Sequence, residues 1–188
     1  PALGGGTRPR QLNGAFMAVA ACLSMWISNT ATVIVMLPIA LSVLEQAKTM
    51  GADNKTLKNF ALGLMLGIAY AADMGGMATF VGTPPNMAYR TILSTIFPDA
   101  PEPGFVQWMM MGLPIAVIFL FTGWLLMTKV IFRMPKSKVF KNQHVIKDLI
   151  KELGKLRRDE LASGLIFLLA ALLWITGSDI TLSSDFTI

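Results

Sequence analysis

Acidic side chains are scarce in this sequence: 11 Asp and Glu stand against 16 Lys and Arg in 188 residues, and charged residues of both signs reach only 14% beside 54% hydrophobic ones. With a mean hydropathy of +0.59, that balance excludes an ordinary soluble domain and places the chain among integral membrane proteins. A single cysteine, Cys22, rules out a disulfide within the chain. The single histidine, His144, reads as an ordinary exposed side chain rather than a ligand, and zinc sites draw on several His or Cys. No Gly-x-x-x-x-Gly-Lys-Ser/Thr phosphate loop occurs, which excludes an ATP-hydrolysing domain within these residues. An intramembrane aspartyl protease needs two carboxylates sharing a proton. Only Asp73 lies in the relevant apolar stretch, so the chain is read as a non-enzyme. No signal-peptide pattern opens it; the Gly-rich start at Pro1 and the polar stop at Ile188 are expected to be cuts through a longer polypeptide.

The net charge of +5 does not make this a nucleic-acid binder. Ten of the sixteen Lys and Arg are bunched between Lys129 and Arg158, beside apolar segments, which is the positive-inside signature of a cytoplasmic loop. Residues 1–12 form a basic cytoplasmic loop, and 46–58 a second, with a turn signal at Gly51-Ala52-Asp53-Asn54. Between them, 13–45 is an apolar run interrupted by Ser28-Asn29-Thr30. Either arm alone rises about 20 Å at ~1.5 Å per residue, short of a ~30 Å hydrocarbon core. The choice lies between one spanning helix with a polar patch and a re-entrant hairpin with its tip at 28–30. The hairpin is favoured, because Ser, Asn and Thr compete with the helical backbone for hydrogen bonds and prefer caps.

The next apolar run, within 59–97, is broken at Gly82-Thr83-Pro84-Pro85-Asn86 (82–86). Two prolines remove two backbone donors, so two half-helices are expected, Gly82 closing the first and Thr83 capping the second. Residues 98–104, rich in proline, read as an external loop, and 105–133 as a spanning helix with Trp108 as an interfacial anchor. Residues 134–159 carry apolar positions at helical spacing and read as an amphipathic helix on the cytoplasmic interface. The last span is 160–176, with 177–188 external. The predicted class is all-α and integral to the membrane: a re-entrant helical hairpin, a discontinuous transmembrane helix and two further spans. Membrane lipid is the implied surrounding.

A half-helix that ends at membrane depth presents free carbonyls, and one that begins there presents free N–H groups. Carbonyls near Ser28 and Gly82 can therefore face a cation, and N–H groups near Thr30 and Thr83 an anion. Ser24 lies one turn before Ser28, so both hydroxyls and the Asn29 amide oxygen can serve as neutral ligands. Oxygen donors without carboxylate suit a weakly held monovalent cation, sodium being the natural choice. The Asn29 amide and the Thr30 hydroxyl offer donors to a carboxylate, with Thr83 close behind if the breaks meet.

The residues Ser24-Met25-Trp26-Ile27-Ser28-Asn29-Thr30-Ala31-Thr32, followed by Gly75-Gly76-Met77-Ala78-Thr79 and Gly82-Thr83-Pro84-Pro85-Asn86, resemble the divalent anion:sodium symporters, which carry di- and tricarboxylates or sulfate. The resemblance runs from about Gly14 to Thr176 and matches the first of two inverted repeats, half of an inverted-repeat transporter. It implies a sodium ion held by Ser24, Ser28, Asn29 and Gly82, and a dicarboxylate touched by Asn29, Thr30, Ser28 and Thr83. It further implies an elevator-type movement, a homodimer of the full-length protein and a bacterial inner membrane. A proton- or ATPase-driven permease for anions or metalloid oxyanions, of related architecture, is the alternative.

Asp73 is weighed separately, because an ionisable group inside an apolar run is costly and usually functional. It can tune cation binding or take a proton, or it can accept a bond from a neighbouring helix. The last role is preferred, since nothing in the sequence places its carboxylate at either break.

Overall fold

A computed structural model describes residues 8–49, 53–99, 103–134 and 158–176. The expected terminal segments 1–7 and 177–188, and most of the amphipathic segment with His144, lie outside the described residues. Among the described residues the chain is all-helical. Its elements are α1 (Pro9–Ser24), α2 (Asn29–Thr49), α3 (Asn54–Gly76), α4 (Pro84–Ile96), α5 (Phe105–Leu125) continued by a π-helical turn (Leu126–Ile131), and α6 (Arg158–Thr176). By length and composition Asn29–Thr49 and Phe105–Ile131 can each cross a membrane, and Leu161–Leu173 is a shorter apolar stretch. Outward residues of α5 and α6, among them Met110, Met111, Ile118 and Ile166, are well exposed, a surface of the kind hydrocarbon covers.

The packing is organised around α3. Its buried residues Phe60, Leu64, Ile68 and Ala71 meet Met17, Ala20 and Ala21 of α1 and Met36, Ala40 and Val43 of α2 in one core. Helix α1 runs parallel to α3: the Asn13 side chain donates to the Gly63 carbonyl at 2.7 Å, and Ala21 lies against Gly75. Helix α2 must then run the opposite way, since it starts beside Asp73 and ends at Thr49, close in sequence to the start of α3. The first two helices therefore form a hairpin laid along α3.

Small residues permit the close approach. Gly63, Gly67, Ala71 and Gly75 recur every fourth position and are all buried on α3, the small-xxx-small arrangement by which membrane helices bring backbones together. A Cβ on Gly75 would sit 2.5 Å from the Ala21 Cα, where nothing soft can yield.

The element boundaries differ from the sequence reading. The hairpin turn is Met25–Ser28, and Asn29 and Thr30 already belong to α2, ahead of the expected 28–30. Helix α3 stops at Gly76, so the break covers 77–83 rather than 82–86, and Gly82 does not close the first half-helix. Thr83 does precede α4, with Pro84 in its first turn, but its side chain makes no capping bond. The π-helical turn after α5 had no sequence signal; it carries buried Thr128, whose hydroxyl bonds the Trp124 carbonyl at 2.7 Å.

Replacing Gly75 with Ala should force α1 away from α3 and destabilise the fold by about 1–3 kcal/mol, the usual cost of overpacking. Gly164→Ala, inside α6 where an added Cβ meets nothing within 4 Å, should not destabilise and should gain about 0.5–1 kcal/mol of helix propensity. Thermal unfolding of the two purified variants in detergent checks the contrast.

Candidate functional site at two helix breaks

Parallel packing of α1 and α3 brings the hairpin turn and the 77–83 break side by side, and one buried hydroxyl joins them. The Thr79 hydroxyl donates to the Met25 carbonyl of the hairpin turn and accepts from the Gly82 N–H at 3.1 Å. Asn86, buried in the first turn of α4, spends both amide hydrogens on the break, donating to the Gly76 carbonyl at 2.9 Å and to that of Thr79 at 2.7 Å. These bonds explain why α3 ends at Gly76: carbonyls that would have continued the helix are held by a side chain from the far side.

Aromatic residues support the break from beneath. The Trp108 indole N–H donates to the Met77 carbonyl at 3.1 Å, and its ring stacks on Phe80 at 4.6 Å and meets Tyr89 at 5.6 Å. Trp108 is thus a brace for the interruption, a contact beyond its reading as an interfacial anchor. Trp26 of the hairpin turn and Phe105 of α5 lie 6.4 Å apart at the same place.

Oxygen atoms gather where the breaks meet. The buried Ser24 hydroxyl donates to the Asn29 Oδ1 at 2.6 Å. That oxygen would lie 2.5 Å from a Cβ on Gly76, and the Gly82 carbonyl 3.3 Å from it. A Cβ on Gly82 would in turn lie 2.5 Å from the Gly76 carbonyl oxygen and 2.8 Å from that of Ser24. Two bare glycines therefore let the carbonyls of Ser24, Gly76 and Gly82 and the Asn29 amide oxygen crowd together, where any side chain would collide with them. Neutral oxygens of this kind fit a weakly bound monovalent ion. Among the described residues no group of three or more His, Cys, Asp and Glu gathers anywhere.

The sequence-predicted residues divide between this cluster and its edge. Ser24, Asn29 and Gly82 come together in it. Ser28 is exposed and caps α2 instead, its Oγ accepting from the Ala31 N–H at 3.3 Å. Thr30 is exposed in the first turn of α2, and Thr83 is half-buried just ahead of α4. The expected row of free N–H groups at the start of α4 is cut down, because Pro84 and Pro85 have none and the Asn86 N–H bonds the Thr83 carbonyl at 3.2 Å. The polar side chain that α4 leaves for an anion there is the Thr83 hydroxyl.

Asp73 changes place in the argument. With α3 ending at Gly76 it lies in the last helical turn rather than mid-run, and its Oδ1 accepts from the Asn29 amide Nδ2 at 2.7 Å. The carboxylate does accept a bond from a neighbouring element, and that element is the first break. The sequence reading assigns Gly76, Thr79 and Asn86 no role, and Trp108 none at the break. The runs Gly75-Gly76-Met77-Ala78-Thr79 and Pro84-Pro85-Asn86 marked three of them, and Trp108 carried the general signal that a buried indole N–H needs an acceptor.

Thr79→Val keeps shape and removes the hydroxyl that ties the breaks, leaving the Met25 carbonyl and the Gly82 N–H without this partner. It should cost about 1–3 kcal/mol, the usual penalty for an unmatched buried polar group, whereas Thr79→Ser should cost much less. Unfolding temperatures of the two variants decide it.

Comparison with known proteins places these motifs. The citrate transporter family model, CitMHS, matches residues 3–184. The chain is 33% identical over 174 residues to the sodium-dependent dicarboxylate transporter SdcS of Staphylococcus saprophyticus, an alignment covering 91% of this chain and 33% of the relative. It is 36% identical over 164 residues to the sodium-dependent dicarboxylate transporter SdcS of Staphylococcus aureus, covering 86% of this chain and 31% of the relative. The chain spans about a third of the length of the curated relatives it matches. Those relatives are transporters and not enzymes.

Proposed function

Because the chain belongs to the CitMHS citrate transporter family, we propose that it is the first repeat of a sodium-coupled secondary transporter of di- and tricarboxylates, supplying one sodium site and half of the substrate site. The observation that carries this reading is the cluster of neutral oxygens at the meeting of the two breaks, the Ser24, Gly76 and Gly82 carbonyls and the Asn29 amide oxygen. The resemblance to the divalent anion:sodium symporters adds its support, as do relatives named for sodium-dependent dicarboxylate transport.

In this reading Ser24, Asn29, Gly76 and Gly82 hold the sodium ion. Ser28, assigned to the ion from sequence, acts by capping α2 and so fixes the backbone beside it. The substrate carboxylate is met by the start of α2, through Thr30 and the free N–H groups of its first turn, and by the Thr83 hydroxyl. The side of the site facing a dicarboxylate's second carboxylate comes from outside this segment.

Coupling follows from geometry. The cation sits against the C-terminal ends of α1 and α3, while the anion sits against the N-terminal end of α2, and the two meet at Asn29. A bound cation fixes the Asn29 side chain and adds positive charge beside the anion position, so each ligand strengthens the other's binding. The hairpin lies in the membrane as a re-entrant element, the basic segment around 134–159 faces the cytoplasm, and the full-length protein works as a homodimer in the bacterial inner membrane.

Uptake of a labelled C4 dicarboxylate by the full-length transporter, measured against a sodium series, tests the proposal. Uptake should rise and saturate with sodium, and Asn29→Ala should abolish it. Gly82→Ala, which drives a methyl group into the carbonyls of Gly76 and Ser24, should raise the sodium concentration for half-maximal uptake at least tenfold, on the order of the loss of one ionic contact. Uptake that ignores sodium and follows pH would instead favour a proton-driven permease.

A further inference from the structure

We propose that Asp73 is a positioning residue for the cation site: its carboxylate turns the Asn29 amide so that the oxygen, and not the nitrogen, faces the carbonyl cluster between the breaks. The inference rests on the sodium reading above and assigns to it a residue outside the ligand set.

An asparagine amide is nearly symmetric in shape, and in water either end can point toward a cation site. Only one end binds a cation; the other, an NH₂, repels it. Selection of the right end requires a partner with a fixed preference, and a carboxylate offers acceptors alone. Here the Asp73 Oδ1 lies 2.7 Å from the Asn29 Nδ2, while the Ser24 hydroxyl donates to the Asn29 Oδ1 at 2.6 Å. In the flipped amide the oxygen would face a carboxylate, and an N–H would face the hydroxyl that now donates. The second clash is mild, because a hydroxyl can rotate and accept. The first cannot be relieved by rotation, so Asp73 sets the orientation.

The helical repeat makes the arrangement specific. Asp73 and Gly76 are three residues apart on α3 and lie on one face. The Asn29 amide lies across that face, its nitrogen on Asp73 and its oxygen against the bare Cα of Gly76. An acceptor one residue earlier or later on α3 would not meet the nitrogen while the glycine met the oxygen. Nor does the position favour a carboxylate for any helical reason, since a negative charge in the last turn opposes the macrodipole. Its bond to Asn29 is the compensating contact that the structure contains.

The test uses the purified full-length transporter and needs no transport. Sodium-dependent stabilisation against heat is titrated, with choline as the control cation, for the parent and for Asp73→Ala and Asp73→Asn. Ala removes the acceptor and should raise the sodium concentration for half-maximal stabilisation about tenfold, the lower end of what loss of an outer-sphere partner costs a metal site. Asn keeps an acceptor oxygen without the charge, but its own amide can also turn an NH₂ toward Asn29, so it should restore part of the affinity. Each variant is compared with itself at zero sodium, so a change in basal stability does not enter the result. A parent that shows no sodium-specific shift overturns the sodium reading. A parent that shifts, with an Ala variant titrating as the parent does, overturns this inference alone. An Asn variant as weak as Ala also overturns it, since charge and not amide orientation would then be the contribution of Asp73.

Discussion

Contact between the backbones of α1 and α3 is the constraint from which the site follows. Gly75 lies so close to Ala21 that no side chain fits between them, and the two helices run in the same direction. Helices that are parallel and in register end together, here at Ser24 and Gly76. Two C-terminal ends side by side put like partial charges next to each other, an arrangement that isolated helix pairs avoid. A cation between them would offset that cost, and in the proposed site the crowded carbonyls of Ser24 and Gly76 receive one. The packing of small residues thus creates the electrostatic need that the proposed ion meets.

Helix ends in an apolar protein need their loose backbone groups satisfied, and the interior of this fold does so with side chains from other elements. Asn86 reaches back from α4 to two carbonyls of the break, Trp108 reaches across from α5 to a third, and Thr79 links the break to the hairpin turn. Each of these groups comes from a different place in the sequence, and each holds irregular backbone that would otherwise refold into helix or admit lipid. The Gly76 carbonyl and the backbone on either side of the cluster are therefore held by the protein's own side chains. Preorganisation of this kind lets neutral donors bind an ion without a large ordering cost.

The helical class, two of the apolar spans and the presence of both interruptions were legible in the chain, because composition and the paired prolines speak for themselves. The exact ends were not. The placement of the turn at Met25–Ser28 depends on Thr79 receiving a carbonyl from it, and the early stop of α3 depends on Asn86. Both are long-range bonds that leave no local pattern. Ser24, Asn29 and Gly82 could be picked out as a group because hydroxyl, amide and glycine are the residue types a neutral cation site uses. Gly76 was quoted within its motif and left without a role, since a glycine in a run of small residues looks like packing until the Asn29 oxygen is seen against it. The bracing contact of Trp108 was not legible, because an indole near the end of an apolar span suits the membrane interface as well as it suits a backbone acceptor. The stripe from Gly63 to Gly75 has a four-residue period that points to close helix contact, a pattern that the sequence reading above does not use.

A coupling ion must be released on each cycle, and this limits what may touch it. A carboxylate in direct contact would hold a cation in a low-dielectric site too firmly for rapid exchange, and it would gather divalent ions as well. Carbonyl, hydroxyl and amide oxygens bind more weakly and discriminate by geometry. The carboxylate beside the cluster is that of Asp73, and it meets the nitrogen end of Asn29, one side chain removed from the oxygens. At that remove an exposed carboxylate is partly screened, so in the proposed site it acts by orienting the amide rather than by trapping the ion. Two requirements that conflict in a single ligand are then separate: Asp73 sets the geometry from one residue away, and neutral oxygens at the breaks let the ion go.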